Sequence, residues 1–99
     1  MEGLDIRIEE GERRLVLRLR GTLDGRTAHA VTEALLALPK GPLTVDFSGV
    51  RTFVDLSVDA LTRALRNRPV SLTGLGRHQA RMFRYFGLHT DEVEQPAEA

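Results

Sequence analysis

Two short stretches set the tightest limits on how this chain can fold. In "LDIRI", Leu4, Ile6 and Ile8 alternate with Asp5 and Arg7, and in "RLVLRLR", Leu15, Leu17 and Leu19 alternate with Arg14, Arg18 and Arg20. Successive strand side chains point to opposite faces, so a period of two predicts two half-buried strands. The polar turn "EEGER" between them, with its Gly11, predicts a hairpin. Arginines at alternate positions do not suit a second apolar layer, so one side of this sheet must meet water.

The period then changes. In "GTLDGRTAHAVTEALLALPKG", Ala28, Val31, Leu35 and Leu38 recur at steps of three and four, with Arg26, His29 and Glu33 off that stripe. This predicts an amphipathic helix, capped by Asp24 and ended by Pro39 and Gly41. "PLTVDFS" predicts a third strand with Leu43, Val45 and Phe47 inward. A helix over about Leu56 to Arg66 follows, closed by "NRP", then a short strand "VSLTG" and a last helix in "GRHQARMFRYFGL". Gly87 suits the left-handed position past that helix, with Leu88 folding back onto Phe83. The order ββαβαβα predicts an α/β fold: a four-stranded mixed sheet with its helices packed on one face. Residues 1–90 read as one domain. Residues 91–99, with Asp91, Glu92, Glu94 and Glu98, read as an acidic, disordered tail.

A chain of 99 residues has room for one core and not for two. No apolar run approaches the roughly 20 residues that cross a bilayer, and "MEGLDIRIEEGE" lacks a signal peptide's basic start; a cytoplasmic address without membrane insertion is expected. Fourteen basic and fourteen acidic residues cancel. Even so, Ala60 to Thr90 holds no acid and six arginines: Arg63, Arg66, Arg68, Arg77, Arg81 and Arg84. Such a face could meet an acidic partner, but without Arg-Gly repeats or spaced stacking aromatics it argues against nucleic acid. There is no cysteine, and His29, His78 and His89 share no ligand spacing, so no metal site is expected and exposed histidines are the default. "GLGRH", Gly74 to His78, is a strand-to-helix turn without a phosphate-loop pattern. No catalysis and no cofactor are expected.

The residues "GTLDGRTA", "LTVDFSGVRTFVDLS" and "VSLTGLGRHQARMFRYFGL" resemble the STAS domain, the family of bacterial anti-sigma-factor antagonists and their relatives, over about residues 4 to 88. The resemblance implies a non-catalytic module that regulates transcription through protein contacts. In such antagonists the helix after an aspartate docks on a kinase-type anti-sigma factor. That kinase phosphorylates the serine of an Asp-Ser-Ser-Gly motif and so releases it. Asp24 and Asp55 match the aspartates flanking that site, but Leu56 stands at the acceptor position, Ser57 matches the second serine and Val58 replaces the glycine.

Helical spacing places 57, 60, 61 and 64 on one face, with Ala60, Leu61 and Ala64, and leaves 56, 59, 63 and 66 outside. Ser57, the alternative phosphosite, is therefore expected to lean inward with its hydroxyl on backbone and Asp55 as the helix cap. Leu56 should face water as an apolar anchor for a partner that binds constitutively, within a docking set of Asp24, Asp55, Leu56, Asp59 and Arg63. A second implication is an accessory subunit that binds the ATPase of a lipid-trafficking ABC transporter, whose STAS subunits the ending "VSLTGLGRHQARMFRYFGLHTDEV" also resembles.

Overall fold

The two alternating stretches form β1 (Leu4–Gly11) and β2 (Arg14–Leu23), an antiparallel hairpin whose last pair is Gly11 with Arg14. Arg13 in its two-residue turn takes a left-handed φ of 65°. The chain continues through α1 (Gly25–Ala37), β3 (Leu43–Phe53), α2 (Leu56–Leu65), β4 (Val70–Thr73) and α3 (Arg77–Tyr85). This computed structural model describes residues 3–88, so the tail expected at 91–99 and His89 lie outside the described residues. The sheet has the order β1-β2-β3-β4, with β3 parallel to both β2 and β4. It is the predicted mixed sheet.

One apolar layer holds the fold. Leu17, Leu19, Leu43, Val45, Phe47 and Leu72 of the sheet share a buried cluster with Val31 and Leu35 of α1, Val58, Leu61 and Leu65 of α2, and Phe83 of α3. Truncating such a fully enclosed leucine costs about 2–5 kcal/mol, because the cavity collapses only in part. Phe47, Phe53 and Phe83 form a ring cluster with centroids 5.6 to 6.3 Å apart, locking the end of β3 to α3. Ile8 departs from expectation: it lies on the apolar side yet is 51% exposed, at the outer strand of the sheet.

β3 also runs further than its alternating core. Two register shifts, each taking one more residue from β3 than from β2, let pairing resume at Arg20 with Gly49 and again at Thr22 with Thr52, and Val54 N–H donates to the Leu23 carbonyl at 2.8 Å. The other sheet face is polar, as the arginine alternation required. Arg18 donates to Glu9 of β1 (2.9 Å) and Asp46 of β3 (2.6 Å), crossing three strands. Partial burial pushes the Asp46 carboxyl up. Bonds from the Ser48 amide and hydroxyl and the Arg18 charge together outweigh that and hold it below its ordinary range.

The arginine run is partly structural. Arg68 donates to the Pro39 and Gly41 carbonyls at 2.8 Å, securing the chain just past α1. Arg66 donates to the Phe86 carbonyl at 2.9 Å near the end of α3. There Gly87 has φ 117°, and Leu88 N–H reaches Phe83 and Gly87 N–H reaches Arg84, the Schellman pattern expected from the sequence.

Candidate functional site: the start of the second helix

The end of β3 delivers Val54 and Asp55 to the surface, and α2 begins at Leu56. Leu56 is 73% exposed and Val54 39%, whereas Ser57 is 0% exposed. The Ser57 hydroxyl donates to the Val54 carbonyl at 2.6 Å. With its one proton committed there and no open path to water, it offers a kinase no accessible nucleophile in this conformation. Helical phase explains the contrast: Val58, Leu61 and Leu65 seal the inner stripe and Leu56 falls outside it.

Asp55 is not the side-chain cap predicted for α2. Its backbone is already helical (φ −55°, ψ −34°) and makes no side-chain cap bond. A cap needs an extended backbone to turn its carboxylate back onto the first amides. Asp55 instead reaches His78 at the start of α3, with Nε2 3.0 and 3.1 Å from the two carboxylate oxygens. His78, exposed as expected, thus ties the start of α3 to the start of α2. Asp55 and His78 lie 23 residues apart, so no local spacing in the sequence could have flagged the pair.

Asp24 does cap α1. Thr27 N–H donates to its carboxylate at 2.9 Å, and Asp24 N–H donates to the Thr27 hydroxyl at 2.8 Å. The Thr27 amide bond is the main reason its carboxyl sits below the ordinary range, with burial opposing. The capping box fixes the first turn of α1 beside α2: a Cβ on Gly25 would lie 3.9 Å from Leu56 Cδ2. Asp59 and Arg63 pair one turn apart at 3.1 Å, both accessible. Arg63 also lines a groove of about 440 Å³ with Gly25, His29, Thr32, Ala60 and Ala64. Asp24, Asp55, Leu56, Asp59 and Arg63 therefore lie along α2 and the adjoining start of α1, with Asp24 spent on its own helix.

Among the described residues no three His, Cys, Asp or Glu side chains converge on a common metal position. Among them, too, no helix is long and apolar enough to cross a membrane. The surface combines an apolar protrusion, a neighbouring Asp–His pair and a shallow groove.

Comparison with known proteins fits this geometry. The model of the family described as "Mlab, STAS domain" matches residues 6–94. Among solved structures, an anti-sigma factor antagonist from Mycobacterium paratuberculosis superposes with a TM-score of 0.76 at 17% identity, over 97% of this chain and 89% of that one. The anti-sigma factor antagonist SpoIIAA in its unphosphorylated form gives 0.64 at 17% identity, over 95% and 90%. The structure of Mglu gives 0.64 at 21% identity over 71% of this chain, which spans only 19% of that longer one. None of the curated proteins matches the sequence. At such identities the structural likeness establishes the fold, and the family model, matched along nearly the whole length, establishes the kinship: the chain belongs to the STAS domain family.

Proposed function

We propose that the protein is a non-catalytic regulatory module, antagonist-like, which docks on an anti-sigma factor or related switch kinase through the start of α2 and is not released by phosphorylation. One observation carries the reading: at the position where a phosphorylatable serine would follow Asp55, Leu56 projects into solvent while Ser57 is sealed. Phosphate at the outer position would bring a charge of about −1.5 to −2, which an apolar contact would reject. Leucine keeps that position neutral and adds apolar area. Docking is therefore constitutive in this reading, set by the amounts of the two proteins, and its setting is the cytoplasm.

The test is co-purification from the native cell with wild-type protein and a Leu56→Asp variant. Wild type is expected to retain a kinase-fold partner that the variant loses, and to gain no phosphate mass with that partner and ATP. Equal retention by both proteins, or phosphate on Ser57, overturns the reading. A second reading, docking on the ATPase of a lipid-trafficking transporter, draws on one observation. The β4–α3 unit that carries that resemblance contributes His78 to the same patch. Recovery of a transporter ATPase in the same experiment would select it.

A further inference from the structure

β1 is an outer strand of the sheet, and among the described residues its far edge carries no further strand. Thr22 N–H donates to the Gly3 carbonyl at 3.0 Å. Hydrogen-bonded pairs alternate along an antiparallel ladder, and the β1–β2 register is unbroken from Leu4 with Gly21 to Gly11 with Arg14. Asp5, Arg7 and Glu9 therefore direct their backbone groups to β2. The amides and carbonyls of Leu4, Ile6 and Ile8 point to the open edge, a template for another strand. These three residues lie on the helix side of the sheet, where Ile8 is half exposed. Asp5, Arg7 and Glu9 lie on the polar side.

We propose that the occupant of this edge is β1 of a second copy, paired antiparallel about a two-fold axis through Ile6, so that two four-stranded sheets become one. In that register Ile6 faces Ile6, Leu4 faces Ile8 and Asp5 faces Arg7, each match occurring symmetrically. The residues whose backbone groups point outward are the ones that must exchange hydrogen bonds. The exposed Ile8 gains an apolar neighbour. Each chain's own Arg7–Asp5 contact, 3.4 Å, joins its symmetry mate in a square of alternating charge.

Neighbouring registers fail. Centring on Arg7 sets Arg7 against Arg7 and Asp5 against Glu9, and centring on Asp5 opposes two aspartates. Centring on Ile8 lets Arg7 face Glu9 but sets Ile6 against Glu10, an apolar side chain against a charge. Acidic and basic residues on a strand edge ordinarily block edge pairing; here their order opposes like charges in the Arg7- and Asp5-centred registers, and the Ile8-centred one forfeits the apolar match at Ile6. The opposite edge is a poor alternative, since β4 has four residues and follows Pro69. Pairing along one short strand buries less than the roughly 1,200–2,000 Å² of a stable complex, so the expected species is a weak dimer that builds with concentration.

Sedimentation equilibrium over a wide concentration range tests this. The mass is expected to rise from 11.0 kDa toward twice that value. Asp5→Arg and Arg7→Asp each replace two attractions by two repulsions at exposed positions, and each is expected to weaken self-association by about tenfold or more. Circular dichroism of each variant confirms that the fold is kept. Mixed together, the two variants become complementary and should form a heterodimer that neither forms alone. A mass fixed at one chain, a dimer indifferent to both reversals, or a mixture that stays monomeric overturns the proposal. The Leu56 reading survives any of these outcomes, because docking at α2 does not depend on the β1 edge.

Discussion

Two adjacent residues at the start of α2 should respond in opposite ways to the same new charge. Ser57 is sealed from water and donates to the Val54 carbonyl at 2.6 Å. In Ser57→Asp that bond is lost, at about 0.5–1.5 kcal/mol, and a carboxylate is set against the same carbonyl oxygen. Confining an unpaired charge adds more, limited by protonation of the acid, for a total of about 3–5 kcal/mol. A domain of this size has about 5–15 kcal/mol in all, and each kcal/mol moves its melting point by about 4–8 °C. Ser57→Asp should therefore melt at least about 12 °C early. Leu56 is largely exposed, so Leu56→Asp forfeits under about 1 kcal/mol of burial, and an acid in the first helical turn returns about 0.3–1 kcal/mol. Its stability should match the parent within about 1 kcal/mol. Urea denaturation followed by circular dichroism compares all three proteins. A Ser57→Asp variant within about 1 kcal/mol of the parent would show that residue 57 can turn outward and carry charge. The case for Leu56 over a phosphoserine at 57 would then be lost.

Three further changes probe other parts of the structure. Thr62 is fully buried and its hydroxyl has no hydrogen-bond partner among the described residues, so Thr62→Val should raise stability by about 1 kcal/mol in the same urea assay. Gly74 has φ 76°, and a Cβ there would come within 2.5 Å of the Ser48 nitrogen; Gly74→Ala should cost more than about 2 kcal/mol, read as a fall in the urea midpoint. Asp24 and Asp46 both titrate below their ordinary values in the folded protein. Their stabilisation is complete above the unfolded value near pH 4 and is lost as pH falls through the folded one. Stability should decline on that acid side, and Asp46→Asn should flatten the decline.

Much of this was legible because binary patterns report which side faces the core. Strand alternation in β1 and β2, the helical stripe of α1 and the glycine ending of α3 are local signals, and the structure follows them. Helical phase likewise separated Leu56 from Ser57. Ile8 escaped because its exposure depends on how far the helix layer extends over the outer strand, which alternation does not encode. Asp55 escaped for a different reason. Its identity suited a cap, but the chain enters α2 already helical, and the carboxylate found a partner from another element. Arg66 and Arg68 read as members of a basic face, whereas each also donates to a distant backbone carbonyl. Long-range hydrogen bonds leave no periodic trace.

The mixed sheet also dictates the order in which the chain can assemble. The hairpin of β1 and β2 closes through a two-residue turn and can form within microseconds, before anything else is in place. The parallel pairings, Leu17 with Val45 and Val45 with Leu72, each wait for an intervening helix to bring the chain back. Loop closure must be met before those contacts return any energy, which slows the search. Refolding should therefore be limited by β3 docking between its neighbours, and substitutions at Val45, the residue common to both pairings, should slow refolding more than changes at the comparably buried Leu19 of the β1–β2 hairpin.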